Sequence, residues 1–472
     1  MNKFFKFGIS LKELLLLVIT GGLVVYSMPV YSFSFCIFFS FVPLFLVLKN
    51  KSVIVSFRIG LITGFITYSI LLSWLYLIFG SISIIFFVVL SLFSGLFCLC
   101  FSLVRISMGY WLALIFSPLL WVSIEYLKSE QWALRFGWMS LGYSVHNIEI
   151  FMGLAKYIGI YGISFVLILI NILLVFIISG KKILIKSISL FLIITIFLTA
   201  YILNKNKNPE TSSRNVYCRL VQTENDFKKC LELSVSKPIP EDSIIVFPEY
   251  SIWDSPIQNQ LLKREIDGFI DKTKSNYIIG CLYFEKNKKN FFNNIALLIS
   301  NKKEFIGKYQ KHHPIPFFID GEAGTDYPVF KIGGATAGVG VCFDYDFEDV
   351  SRKTVQKGAE ILFNPTYDAQ NWWYIQHIQH SFLLPFRAVE TGRYALRAAS
   401  SGISLVISPN GKILKQTDYT GEYILDFKIP LLTTKTFYVK YGYILPFLIQ
   451  SLTVIIVIIS VFKILYSKFF RD

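Results

Sequence analysis

Charge is scarce in this chain. Only 16% of its 472 residues are Asp, Glu, Lys or Arg, against about 25% in ordinary soluble domains. With 54% of residues hydrophobic, so few charges cannot cover a folded surface in water, which excludes a purely soluble enzyme and a disordered chain alike. Paired cysteines are lacking as well. Cys36, Cys98, Cys100, Cys218, Cys230, Cys281 and Cys342 are odd in number and contain no C-x-x-C spacing, so neither a disulfide framework nor a zinc site is indicated. There is no phosphate loop ending in Gly-Lys-Ser/Thr, no dinucleotide fingerprint and no internal repeat. Acidic residues are the scarcer charged type, 31 against 46 basic ones, for a net charge of +15. The basic excess forms no run interleaved with surface aromatics, so it is not read as a nucleic-acid footprint but as the cationic flanks of membrane segments.

Long apolar runs are abundant. A helix crosses a bilayer with about 20 apolar residues, and seven stretches in the first 204 residues qualify: 11–28, 32–48, 60–79, 81–104, 110–124, 157–178 and 183–203, with an eighth at 443–462. The first carries no small-residue cleavage pattern and six more spans follow, which predicts that it is retained. Threading the chain with its N-terminus in the cytoplasm places Lys3, Lys6, Lys12, Lys49, Lys51, Arg58, Arg105, Lys181, Lys182, Lys186, Lys463, Lys468 and Arg471 inside. The opposite short loops hold only Lys128, Arg135 and Lys156. Thirteen against three predicts both termini inside and the long polar insert on the outer face. The expected domains are a membrane domain over 1–204, an extracytoplasmic domain over 205–440, and a last transmembrane helix with its tail over 441–472.

Composition changes at Asn204-Lys-Asn-Lys-Asn-Pro, a polar linker. Beyond it, β-branched runs at 243–247, 277–283, 295–300, 338–343, 361–364 and 403–408 alternate with amphipathic stretches at 258–273, 347–357 and 374–390. Strands alternating with helices predict a layered α/β domain.

Three places in the insert end an apolar run on a reactive side chain. Ile244-Ile-Val-Phe-Pro-Glu249 sets a carboxylate just past a buried strand, where burial raises its pKa as a general base needs. Gly307-Lys-Tyr-Gln-Lys311-His-His-Pro gathers cations that can stabilise an oxyanion. Gly338-Val-Gly-Val-Cys342-Phe-Asp places a single thiol at the end of a glycine-rich strand, a position for a nucleophile. Taken singly, each has an ordinary alternative: a loop glutamate, a solvated charge run, a buried small hydrophobe. His377 and His380 share one helix face without a third ligand, which favours structure over metal binding.

The order and spacing of the three are more specific. Pro-Glu249, Lys311 about 60 residues on and Cys342 about 30 further, followed by Asn364-Pro-Thr, resembles the nitrilase superfamily, built as an α-β-β-α sandwich with a Glu-Lys-Cys triad. Gln379-His380, Arg387-Ala-Val-Glu390, Gly392-Arg393 and Ser408-Pro-Asn-Gly-Lys412 continue the resemblance. Set between seven helices and an eighth, such a domain resembles the bacterial apolipoprotein N-acyltransferases. Pro29, Pro43-Leu44, Glu125, Gly137-Trp138, Leu141-Gly-Tyr-Ser144, Tyr161-Gly162 and Asn171 of the membrane half look like that family too.

The resemblance implies a multi-pass α-helical membrane domain of about eight helices plus a nitrilase-like α/β sandwich. It implies an enzyme of the bacterial cytoplasmic (inner) membrane with its catalytic domain on the periplasmic side. The implied reaction moves an acyl chain from a phospholipid, through a cysteine thioester, to the N-terminal amine of a diacylglyceryl apolipoprotein; no cofactor and no nucleic acid is expected. Glu249 matches the family's base, Lys311 its triad lysine and Cys342 its nucleophile. Phe343 (through its backbone N–H), Glu322 and Asp344 are the expected oxyanion or supporting residues. The chain departs from the family pattern at Pro316-Phe-Phe-Ile-Asp-Gly-Glu322 and at Cys342-Phe-Asp344, and the segment between Lys311 and Cys342 is short. That shortening also suits a membrane-anchored amidase of the nitrilase type, or an acyltransferase with another amine acceptor.

Overall fold

The computed structural model describes residues 8–205, 213–224, 226–285 and 292–469. Lys3, Lys6, Arg471 and most of the polar linker lie outside the described residues. The chain divides into two compact units, Met1–Asn206 with Tyr441–Asp472, and Lys207–Lys440.

Among the described residues, six helices of the first unit are long and apolar enough to cross a membrane: Val53–Leu71, Leu75–Met108, Tyr110–Gln131, Ala155–Ser179, Ile183–Lys205 and Gly442–Phe469. The two other segments expected to span are shorter. Leu11–Ser27 is a single helix opened by a capping box, in which Ser10 Oγ accepts from Glu13 N and Glu13 Oε2 accepts from Ser10 N at 2.8 Å. Residues 32–48 do not form one rod: a tight turn of helix at Ser34–Phe38 is followed by Val42–Leu48, with Pro43 in its first turn. Proline suits that place because its missing N–H would have had no helical acceptor. On Ile183–Lys205, Leu184, Phe191, Leu198 and Tyr201 stand exposed, a surface that suits hydrocarbon and not water.

Among the described residues, the second unit holds twelve strands in two sheets of six. The first sheet runs β12-β1-β2-β3-β4-β5 and the second β11-β10-β9-β8-β7-β6. The strands are β1 Asn215–Gln222, β2 Ile244–Val246, β3 Asn276–Phe284, β4 Phe292–Ile299, β5 Phe305–Gln310 and β6 Val329–Ile332. They continue as β7 Ala335–Val339, β8 Ile361–Thr366, β9 Tyr394–Ala399, β10 Leu405–Ile407, β11 Ile413–Gln416 and β12 Tyr423–Pro430. Each sheet has a parallel centre, β1/β2/β3 in one and β7/β8/β9 in the other, with antiparallel strands outside it. Helices Phe227–Val235 and Gln260–Thr273 cover the first sheet, while Glu348–Gln356 and Leu384–Thr391 cover the second. The sheets meet each other through β1 against β9 and β3 against β8. The layers are α-β-β-α, and strands buried on both faces, such as β3 and β8, read as continuous apolar runs for that reason.

The stretch expected as one helix over 374–390 is two, Tyr374–Ser381 and Leu384–Thr391. Pro385 cannot donate to a preceding turn, so it starts the second helix instead of continuing the first. The expected strand over 338–343 stops at Val339, and Cys342–Asp346 forms a tight helical turn.

Candidate functional site

Three chain reversals at strand ends bring the sequence's reactive residues together in the second unit. Glu249 leaves β2 two residues after Phe247, Lys311 follows β5 directly, and Cys342 follows β7. All three are buried. Lys311 Nζ lies 2.8 Å from Glu249 Oε1. The other oxygen, Glu249 Oε2, accepts from the backbone N–H of Tyr367 at 2.8 Å, and the carbonyl of that same Tyr367 lies 3.7 Å from Cys342 Sγ. Tyr367 thereby touches both the carboxylate and the thiol.

The backbone is strained where it turns. Cys342 has φ +50 and Tyr250, next to Glu249, has φ +56. Side chains with a Cβ avoid that region, so the surrounding bonds must impose it. Asp344 supplies most of them: Oδ2 accepts from Val341 N at 2.8 Å and from Tyr309 O–H at 2.7 Å, and Oδ1 accepts from His312 N at 2.9 Å and His313 N at 2.8 Å. One carboxylate thus clamps the Cys342 turn to the segment that follows Lys311. Asn364 adds Nδ2 bonds to Gly340 O at 2.8 Å and Cys342 O at 3.2 Å. Phe343 is buried with its ring edge-on to Phe347, 5.0 Å between centroids, and its N–H is the first after Cys342.

Tyr367, Asp320 and Asn294 were not singled out from the sequence. Asp320 Oδ2 lies 2.7 Å from Lys311 Nζ and also accepts from Ile315 N at 2.7 Å. Its Oδ1 accepts from Tyr250 O–H and from Asn294 Nδ2, the latter at 2.8 Å. Asn294 Nδ2 in turn reaches Glu249 Oε1 at 2.7 Å. Asp320 is thus a second acid beside Lys311, with Glu249 the first. Glu322, expected as a supporting residue, follows a turn at Gly321 (φ +86), and its backbone N–H donates to Phe292 O at 3.3 Å. Asp320 stands as the first acid after the apolar run Phe317-Phe-Ile319, and Asn294 as the second of two amides just before the apolar run of β4.

The electrostatics follow from burial first. Burial pushes the Glu249 carboxyl above its usual range, and Lys311 and Asn294 reverse this only in part. Burial opposes the charge on Lys311, but Asp320 and Glu249 outweigh it and hold the ammonium well above its ordinary pKa. Asp320 is kept below the usual carboxylate range because Lys311 outweighs its burial. Burial and the neighbouring Glu249 charge raise the Cys342 thiol well above normal, so it rests as S–H and needs a base to react.

β3 backs the base closely. A Cβ at Gly280 would stand 2.3 Å from Pro248 O and 2.5 Å from Glu249 Cα. Gly280→Ala must therefore displace Glu249, at an expected cost of about 1–3 kcal/mol in stability and roughly tenfold or more in the rate of Cys342 acylation. Thermal denaturation and single-turnover acylation measure the two effects.

Around the site runs an apolar rim. Tyr250 stacks on Trp253 with centroids 5.0 Å apart and meets Tyr367, which meets Trp372, which meets Phe318. Ile319 is 89% exposed, Phe317 64% and Trp253 58%.

Against known proteins, the family model for carbon-nitrogen hydrolases matches residues 219–437, and that for the apolipoprotein N-acyltransferase N-terminal domain matches residues 20–173. Among curated relatives, an apolipoprotein N-acyltransferase of Geobacter metallireducens is 27% identical over 92% of each chain. One from Wigglesworthia glossinidia brevipalpis is 28% identical over 95% of this chain and 98% of its own. Apolipoprotein N-acyltransferase 1 of Treponema denticola is 26% identical over 100% and 99%. Among solved structures, a Saccharomyces cerevisiae member of the nitrilase superfamily aligns with 46% of this chain and 91% of its own at 18% identity and TM-score 0.39. An amidase of that superfamily from Nesterenkonia aligns with 50% and 96% at 19% identity and TM-score 0.40. The hydrolase half and the membrane half are thus each matched by a family model, and the chain is similar to apolipoprotein N-acyltransferases along nearly its whole length.

Proposed function

We propose that the protein is an N-acyltransferase that takes a fatty acyl chain from a membrane phospholipid and delivers it to the N-terminal amine of a diacylglyceryl-cysteine apolipoprotein. The observation that carries this reading is the buried Glu249–Lys311 pair, 2.8 Å apart and joined through Tyr367 to the strained Cys342 turn, in a chain that also holds six membrane-capable helices. The exposed apolar rim beside the thiol suits an alkyl chain better than a small polar amide.

In the proposed reaction Glu249 takes the thiol proton as Cys342 Sγ attacks the ester carbonyl of the donor. Lys311 and the Phe343 N–H stabilise the oxyanion, a contribution of about 3–4 kcal/mol for such a donor. Glu249 then returns the proton to the departing lysophospholipid oxygen, which leaves a thioester on Cys342. The amine of the acceptor attacks that thioester, Glu249 takes up its proton, and the thiolate is released and reprotonated. Asp320 and Asn294 hold Lys311 and Glu249 in register, and Asp344 holds the turn. The basic bias of the short loops supports the periplasmic side of the inner membrane for residues 207–440.

The test is a ping-pong assay with phosphatidylethanolamine and a synthetic diacylglyceryl-cysteine peptide. The peptide is expected to gain one amide-linked acyl chain while lysophospholipid appears. Release of free fatty acid with an unmodified peptide would sink the acyltransferase reading in favour of a hydrolase. Because burial raises Glu249, the acid limb of the pH–rate profile is expected above about pH 4.3, the ordinary glutamate value. Glu249→Gln is expected to remove that limb and lower the rate by about 10²–10⁴-fold.

A further inference from the structure

Behind the nucleophile lies a second group of buried charges that the acyl-transfer scheme leaves unused. Asp368 follows Tyr367, the residue that touches both Glu249 and Cys342. Its Oδ1 lies 2.8 Å from His380 Nδ1 and accepts from Gln376 Nε2 at 3.0 Å, while Oδ2 pairs with Arg397 Nη2. His380 Nε2 lies 3.4 Å from Asp346 Oδ1, at the far end of the turn that begins with Cys342. Asp346, Asp368, His380 and Arg397 are all at most 3% exposed. Together they tie the segment after β8, the Cys342 turn, the helix Tyr374–Ser381 and β9.

Burying four charged or titratable groups costs more desolvation than an apolar cluster of the same volume. Their place against an active thiol makes them candidates for a functional role. We propose that Asp368, His380, Arg397 and Asp346 form a positioning network for Cys342, locking its turn against Tyr367 and setting the electric field at the thiol. The charges facing Cys342 are Glu249, Lys311, Asp368 and Arg397, and the last two act on it in opposite senses: Asp368 disfavours the thiolate and Arg397 favours it. His380 is faced by Asp368, Asp346 and Arg397, and the two acids outweigh burial and Arg397 to raise its pKa. His377, against Asp368 and Arg397, is lowered by burial.

The test uses the full chain in detergent and follows the rate of Cys342 alkylation by iodoacetamide against pH. Peptide mass spectrometry separates Cys342 from the other cysteines. Asp368→Asn is expected to move the midpoint to lower pH and Arg397→Gln to higher pH, each by about half a unit, or about threefold in thiolate fraction below the midpoint. A purely structural network would lower the melting temperature and leave the midpoint of folded protein in place. Unmoved midpoints, or shifts in the same direction, overturn the proposal. Should one variant not fold, the other carries the test alone: a midpoint moved in its stated direction supports the network and an unmoved one overturns it. No lipid enters this measurement, so a failure of acyl transfer leaves its outcome intact.

Discussion

Cys342→Ala is expected to fold as the parent does and to lose entirely the hydroxylamine-labile acyl adduct that the parent forms with phosphatidylethanolamine. Transfer to an amine acceptor should fall by roughly 10⁴-fold or more, since the covalent route is removed outright. Folding should survive because the hydrogen bond that the thiol makes is weak, Sγ to Tyr367 O at 3.7 Å. The turn is held by other groups: the four bonds of Asp344 and the two from Asn364 do not involve the sulfur. Alanine also meets the positive φ at 342 on the same terms as cysteine, because each has a Cβ, so the strain is neither added nor relieved. Intact-mass spectrometry reads the adduct and thermal denaturation reads the fold. An adduct that persists in a folded alanine variant would place the acyl group elsewhere and overturn the role of Cys342.

Glu249 and Cys342 were legible because each follows an apolar strand, and the boundary between an apolar run and a reactive side chain survives in one dimension, while Lys311 was legible from its cluster of cations and its spacing from the other two. β3, β4 and β8 were legible for a related reason: both faces of each are covered, so their apolar residues are continuous. β5 and β11 are half exposed, and their mixed composition hides the strand, because an outer antiparallel strand needs only part of one face apolar. The break before Pro385 was visible in the residue itself, yet the amphipathic pattern runs through it on both sides. Asp320 is the instructive loss. Nothing near it in sequence requires a buried acid; what requires it is Lys311, which otherwise has Glu249 as its acidic partner, and that pairing exists only once the loop closes.

Lys311→Met is expected to be the most destabilising single change in the second unit, and its cost should depend on pH in a definite direction. The lysine holds Glu249 and Asp320, both buried, on one ammonium at 2.8 and 2.7 Å. Methionine fills the space and leaves two carboxylates facing one another across Asn294, a loss of about 3–5 kcal/mol near neutral pH. Two acids so placed cannot both ionise, so one of them takes a folded pKa well above its unfolded value of about 4. A carboxyl raised on folding binds more protons in the native state. Its favourable contribution is complete below the unfolded pKa and fades as pH rises through the folded one. In the parent, the Lys311 pKa is raised and that of Asp320 lowered, so both contributions are fully present between pH 5 and 8, while Glu249, raised less with the ammonium beside it, adds a smaller decline as pH rises. The gap in melting temperature between variant and parent should therefore be widest at pH 8 and narrow at pH 5, with catalysis absent at both. A gap of equal size at the two pH values would mean that the lost packing of the lysine stem, and not the unpaired carboxylates, sets the stability of this site.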